Sequence, residues 1–179
     1  MHKAVEKILV SEEQIKERCA ALGQEITNDY QKTGRIPYVV ALLRGSVPFL
    51  AELVKHIDLD ISFDFMDVSS YEGTESIGDI KINKDLECSV KGLSILLVED
   101  IVDTGRTLKA VTKMLKNKGA NDVKVVSLLD KPSRRTVDIE ADYVGFEIPN
   151  EFVIGFGLDF DQKFRNLPYV GVLKKAFYQ

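Results

Sequence analysis

Residues 95–108 read Ile-Leu-Leu-Val-Glu-Asp-Ile-Val-Asp-Thr-Gly-Arg-Thr-Leu. The apolar run 95–98 is what a strand shows when both of its faces are covered. Two carboxylates, Glu99 and Asp100, follow at once, then Asp103 and the small polar loop Thr104-Gly105-Arg106-Thr107. Leu108, Val111, Met114 and Leu115 then recur at helical spacing until Gly119 stops the helix. A doubly covered strand feeding a helix through a glycine loop belongs in a parallel sheet with helices on both sides. The loop also has a chemistry. Backbone amides at a helix N-terminus bind phosphate. Adjacent carboxylates would repel it, unless they hold sugar hydroxyls, a cation bridging to the phosphates, or a proton in transit.

The rest of the chain supports that architecture. Ser11-Glu12-Glu13-Gln14 has the form of a capping box, and Ile15, Cys19, Leu22, Ile26 and Tyr30 follow at spacings of three and four. A helix over 11–31 is predicted. Strand 38–43 ends at Arg44-Gly45-Ser46, and a helix runs from Val47 through Ile57 with Pro48 in its first turn. Ile61, Phe63 and Phe65 alternate, so 60–69 is a strand with one wetter face. The glycine-bearing stretch 69–79 reads as a mobile loop, and 81–86 as a hairpin partner. Strand 94–99, helix 106–118 and strand 123–129 follow. Segment 143–147 is a short strand, and 152–157 and 168–173 are further strand candidates. The fold class is α/β, a mainly parallel twisted sheet flanked by helices, with a C-terminal third of strands and loops.

In such sheets ligands bind beyond the carboxyl ends of the strands. Those ends here carry Arg44-Gly45-Ser46, Ser69-Ser70-Tyr71, the acidic stretch 99–107 and Lys131. Their gathering on one edge is the main argument for an active site. The loop is neither a Walker A sequence nor a Gly-x-Gly-x-x-Gly turn. Taken singly, Lys131, Asp159 and Arg165 read as solvated charges, and Phe152 as core.

Charge and composition set limits. The net charge of −4 argues against a nucleic-acid footprint, apart from a local basic patch at 131–135. Cys19 and Cys88 are too few for a disulfide scaffold, and Cys19 falls on the apolar stripe of its helix. His2 and His56 form no catalytic dyad, and no His/Cys metal cluster is present, so a bound cation would be hard and oxygen-ligated, hence magnesium. No apolar run reaches membrane-spanning length, so no membrane partner and a cytoplasmic location are expected.

Val98-Glu99-Asp100-Ile101-Val102-Asp103-Thr104-Gly105-Arg106-Thr107-Leu108 closely resembles the phosphoribosyl-pyrophosphate (PRPP) motif of type I phosphoribosyltransferases. Leu43-Arg44-Gly45-Ser46 resembles their pyrophosphate loop, Ser70-Tyr71 the start of their catalytic loop, and Leu128-Leu129-Asp130-Lys131-Pro132 their purine-recognition strand. Val144-Gly145-Phe146-Glu147-Ile148-Pro149, Phe152-Val153-Ile154-Gly155-Phe156, Leu158-Asp159-Phe160 and Phe164-Arg165 resemble the hood of the 6-oxopurine, hypoxanthine-guanine branch. The matches span about 38–173.

The resemblance implies one type I phosphoribosyltransferase domain over 1–179, with a core of about 35–145 and a hood of about 146–179 joined by the N-terminal segment. It implies purine salvage: hypoxanthine or guanine plus PRPP gives the nucleoside monophosphate and pyrophosphate, with magnesium. By analogy Asp103, Thr104, Gly105, Arg106 and Thr107 hold the ribose 5′-phosphate. Glu99 and Asp100 face the ribose hydroxyls directly or through magnesium, and Ile101 lines the substrate site. Asp103 is the general base for the purine imidazole proton. Lys131 donates to the 6-oxo group, which rejects adenine, whose amino group would set donor against donor. Phe152 stacks on the base, and the Val153 and Asp159 backbone reads its other edge. The Asp159 side chain binds a second magnesium, and Arg165, Arg44 and Gly45 hold pyrophosphate. Ser70 and Tyr71 close over the site and exclude water. Arg44 departs from the lysine often found there, in a loop that carries a non-proline cis peptide in the family. Relatives are homodimers or homotetramers. A second reading, a nucleotide-binding regulator of transcription, typically involves loss of a motif acid or gain of a basic face. A relative preferring xanthine is the runner-up among enzymes.

Overall fold

The computed structural model describes residues 1–70 and 80–178. The chain opens with strand β1 (Val5–Val10) and helix α1 (Glu12–Thr33). The capping box forms: the Ser11 hydroxyl accepts from the Gln14 amide at 3.2 Å, and the Gln14 side chain accepts from the Ser11 amide at 2.8 Å. The stripe Ile15, Cys19, Leu22, Ile26 and Tyr30 is buried. Then come β2 (Tyr38–Leu42), α2 (Val47–Leu53), β3 (Ser62–Ser70), β4 (Ile80–Lys84), β5 (Ser94–Val102), α3 (Arg106–Asn117), β6 (Asp122–Asp130) and β7 (Tyr143–Glu147). Two short strands, β8 (Val153–Ile154) and β9 (Val170–Leu173), follow.

Six strands form one sheet in the order β4-β3-β2-β5-β6-β7. The pairs from β3 to β7 are parallel, and β4 is an antiparallel edge. Strand β5 lies at the centre, with Val98 opposite Ala41 on one side and Val126 on the other. Its alternate residues join different cores. Leu96 and Val98 pack with Val39, Ala41, α1 and α2, while Ile95 and Leu97 pack with Val40, Leu42 and the α3 residues Leu108, Val111 and Leu115. Truncating Leu96 or Leu97 to alanine is therefore worth about 2–5 kcal/mol.

A second sheet, β1-β9-β8, is antiparallel and joins the N-terminal strand to the C-terminal third. Its residues Val5, Ile154 and Leu173 form a small buried cluster with Ala4. Strand β1 is absent from the sequence reading because Glu6 and Lys7 interrupt it, and its burial does not alternate.

Other boundaries move. Strand β5 was expected to end at residue 99 but runs to Val102, because β6 continues beside it and pairs Ile101 with Leu129 and Val102 with Asp130. Glu99 and Asp100 thus lie within the strand, not past its end. The helix expected over 47–57 is α-helical only to Leu53 and ends in a 3-10 turn, Val54–His56. Ser46 does not cap it, since its hydroxyl donates to the Leu42 carbonyl at 2.5 Å. Strand candidate 152–157 shrinks to β8, because Gly155, Phe156 and Gly157 take left-handed φ values that break the ladder, and candidate 168–173 becomes β9 from Val170.

Asp64, buried on β3, ties β2, β3 and β4 together. It accepts from the Tyr38 hydroxyl (3.2 Å), the Phe65 amide (2.6 Å), the Glu87 amide (2.8 Å) and the Lys84 ammonium (3.3 Å). Burial pushes its carboxyl up, but these donors outweigh it and hold it below the usual value.

Candidate active site

The glycine loop forms where β5 hands over to α3, with Gly105 as the residue before the helix and no side chain capping it. A cavity of about 150 Å³ lies there, lined by Glu99, Ile101, Asp103, Thr104, Gly105 and Thr107 among others. The Thr104 hydroxyl accepts from the Arg106 amide at 3.4 Å, and the Arg106 guanidinium reaches the Thr136 hydroxyl at 3.1 Å. These contacts hold the loop open toward the cavity and leave a helix N-terminus for an anion.

Beside it, the turn after β2 runs under Asp100. The Leu43–Arg44 peptide is cis, as the resemblance implies. A Cβ on Gly45 would stand 1.5 Å from Asp100 Oδ2, and one on Gly157 would stand 1.8 Å from the Gly45 carbonyl oxygen. At Gly157 the obstacle is backbone and φ is +98°, so only glycine fits, while at Gly45 a side chain would displace the Asp100 carboxyl; Asp100, Gly45 and Gly157 thus stack in close contact. The Arg44 guanidinium faces the Gln162 side chain at 3.4 Å. Arg165 closes this side: it pairs with Asp159 at 2.8 Å and donates to the Gly157 carbonyl at 2.7 Å and to Gln162 at 3.1 Å.

A second cavity, of about 530 Å³, is lined by Ile101, Asp103, Lys131, Arg134, Phe152, Val153 and Asp159, with Asn150, Glu151, Leu158 and Tyr178 completing it. Its size suits a small heterocycle. The Lys131 ammonium is buried and donates to the Glu151 carbonyl at 2.7 Å. Burial pulls its pKa down, and the Asp103 charge partly offsets this. Phe152, read singly as core, is instead 40% exposed, stacked on Tyr178 with centroids 5.1 Å apart and edge-on to Phe160 at 5.6 Å. Its position at the cavity rim, away from the main cores, explains the difference. Ile101 and Asp103 line both cavities, so the two spaces meet at Asp103.

The basic patch expected at 131–135 does not form a free surface. Lys131 is buried, Arg134 pairs with Asp103 at 3.1 Å, and Arg135 is drawn inward. The Arg135 guanidinium donates to the Val102 carbonyl at 3.1 Å and the Asp103 carbonyl at 2.6 Å, and makes a short ion pair with Asp130. Sequence reading missed both arginines, since two adjacent basic residues after a strand look solvated. The hint available was their position directly beyond Lys131-Pro132. Tyr71 and the rest of the expected mobile loop lie outside the described residues. Ser70 ends β3 opposite Ile80.

Glu99 and Asp100 form a carboxyl pair. Each is half-buried overall, but Glu99 Oε2 is shut off from solvent and has no hydrogen-bond partner among the described residues. Burial pushes both carboxyls up, and the Asp100 charge raises Glu99 further. Among the described residues no three His, Cys, Asp or Glu side chains cluster to hold a metal, so Asp159 does not join this pair. Two carboxylates with an orphan oxygen suit a hard divalent cation that draws its remaining ligands from water and substrate oxygens.

The chain matches the family described as phosphoribosyl transferase domain over residues 7–161. It is 58% identical to a hypoxanthine-guanine phosphoribosyltransferase of Lactococcus lactis, covering 99% of this chain and 96% of that protein. It is 51% identical to the bifunctional protein TilS/HprT of Listeria monocytogenes, of which it spans only 27% while 99% of this chain is covered. The crystal structure of a hypoxanthine phosphoribosyltransferase from Staphylococcus aureus superposes with a TM-score of 0.95 at 48% identity, over 100% of this chain and 97% of that one.

Proposed function

The chain belongs to the phosphoribosyl transferase family, and from that premise we propose how its two cavities divide the work. It is a purine-salvage transferase of the hypoxanthine-guanine branch. It moves the 5-phosphoribosyl group from PRPP to hypoxanthine or guanine, giving the nucleoside monophosphate and pyrophosphate. The observation that carries the division is the shared wall: Asp103 and Ile101 line both the loop cavity and the base cavity.

The smaller cavity takes the ribose 5′-phosphate through the amides and hydroxyls of 103–107. Glu99 and Asp100 hold the ribose hydroxyls or a magnesium ion beside them; Asp159 takes a second. Magnesium, when bound, neutralises charge on the departing pyrophosphate. Arg44, Gly45 and Arg165 bind pyrophosphate oxygens. Arg165 is supported in this role by its bonds to Asp159 and the Gly157 carbonyl, which hold it beside Gly45.

The larger cavity takes the base. Lys131 leaves the Glu151 carbonyl to donate to the 6-oxo group, Phe152 stacks on the ring, and the Val153 and Asp159 backbone reads the far edge. Asp103 accepts the imidazole proton as the anomeric carbon passes from pyrophosphate to the purine nitrogen. Ser70 and Tyr71 close the site against water, which would otherwise hydrolyse PRPP. No helix among the described residues is long and apolar enough to cross a membrane. We take the enzyme as cytoplasmic and as a homodimer or homotetramer. Incubating it with PRPP, magnesium and each of hypoxanthine, guanine, xanthine and adenine tests the reading. Pyrophosphate release with the first two and none with adenine is expected, and release with adenine alone refutes it.

A further inference from the structure

Asp103 is held at two points by two neighbouring arginines. Arg135 takes its backbone carbonyl at 2.6 Å, and Arg134 Nε takes its side-chain Oδ1 at 3.1 Å. The second contact joins side chains that are 48% and 42% exposed. A half-exposed ion pair contributes little to fold stability. It does engage one carboxylate oxygen, Oδ1, beside the cavity that both residues line.

Arg134 ends a 3-10 turn, Pro132–Arg134, and its amide donates to the Lys131 carbonyl at 3.0 Å. Side chains three apart in such a turn lie on the same side. Lys131 and Arg134 therefore enter the same cavity from one turn. A 6-oxopurine carries its oxo group and its imidazole N7 on adjacent positions of one edge. Resting on the reading of the larger cavity as the base site, the geometry points to Arg134 as a positioning residue for the reaction: it sets the Asp103 carboxylate at the N7 proton while Lys131, from the same turn, takes the oxo group. As purine N9 forms its bond to the anomeric carbon, the carbon–oxygen bond to pyrophosphate breaks. The bonding pair leaves with pyrophosphate, and the N7 proton passes to Asp103 Oδ2. Arg134 touches neither substrate in this scheme and acts through Asp103.

The test is a double-mutant cycle on the full chain. Arg134→Ala is expected to lower kcat about 10–100-fold, the scale of a catalytic group misplaced by an ångström. The KM for PRPP should stay within about twofold, and Arg134→Lys should recover part of the loss. In an Asp103→Asn background, Arg134→Ala should have almost no further effect, because the group it positions is already gone. Three results overturn the inference: wild-type kcat in Arg134→Ala, penalties that multiply in the double variant, or a loss confined to the PRPP KM. If Arg134→Ala folds poorly, Arg134→Gln in the same cycle decides on the same criteria. Failure of the base-site reading is distinguishable, since the wild-type protein would then release no pyrophosphate with hypoxanthine or guanine.

Discussion

Arg135→Met is expected to damage both stability and turnover. The Arg135 and Asp130 side chains are only 15% and 14% exposed. The same guanidinium satisfies the carbonyls of Val102 and Asp103 at the end of β5. Removing it leaves a buried carboxylate without its partner and frees two carbonyls. Breaking such a pair from one side costs about 3–5 kcal/mol. For a chain of this length each kcal/mol lowers the melting temperature by about 2–4 °C, so a fall of roughly 6–20 °C is expected. Because the Asp103 backbone is no longer pinned, kcat/KM for PRPP should also fall. Differential scanning calorimetry with initial rates of pyrophosphate release measures both. Arg135→Met combined with Asp130→Leu should regain much of the stability, since neither charge is then left buried alone, but not the turnover. A melting shift below about 2 °C for the single variant, or a double variant no more stable than the single, refutes the reasoning.

Asp103→Asn should fold with a near-native melting temperature and lose most turnover; full activity would remove it as the base. EDTA should abolish pyrophosphate release and added magnesium should restore it, with activity in excess chelator as the contrary result. Gly157→Ala places a Cβ 1.8 Å from the Gly45 carbonyl at a φ of +98°, so PRPP binding by calorimetry should weaken at least tenfold; unchanged affinity would show that the contact yields freely. Asp64 has a folded pKa below its usual 3.8, so its stabilisation is present above that pH and is lost as pH falls through the folded value. Urea midpoints of wild type and Asp64→Asn should therefore differ at pH 7, and the gap should narrow as pH falls below 3.8; a constant gap would contradict the assignment.

Where local chemistry and global packing agree, the chain is legible. The Ser11–Gln14 capping box, the stripe down α1 and the apolar run 95–98 each signal their element without help from distant residues. The acidic loop is legible for the same reason, since it is built from consecutive residues. What escapes is what depends on a partner far along the chain. Strand β1 exists because β9 pairs with it 160 or so residues later. Strand β5 extends to Val102 because β6 keeps pace beside it. Arg135 turns inward to Asp130 and two carbonyls, and Arg134 reaches across to Asp103 at the surface, and no local pattern encodes either contact. Gly45 and Gly157 read as ordinary turn residues until the fold brings their backbones together.

The small sheet β1-β9-β8 has a consequence for biogenesis. Synthesis runs from the N-terminus, so β2, β5, α3 and β6, with the whole acidic loop, leave the ribosome well before β9. Strand β1 emerges first of all and must wait, unpaired, for Val170–Leu173. Val153 is part of that sheet and the Phe152 carbonyl accepts from the Leu173 amide of β9, so this wall of the larger cavity forms only when the sheet closes. The nascent protein thus acquires the lining of the loop cavity early and completes the larger cavity last. A chain halted before β9 would keep β1 as an exposed strand edge, the kind of surface that chaperones and aggregation compete for.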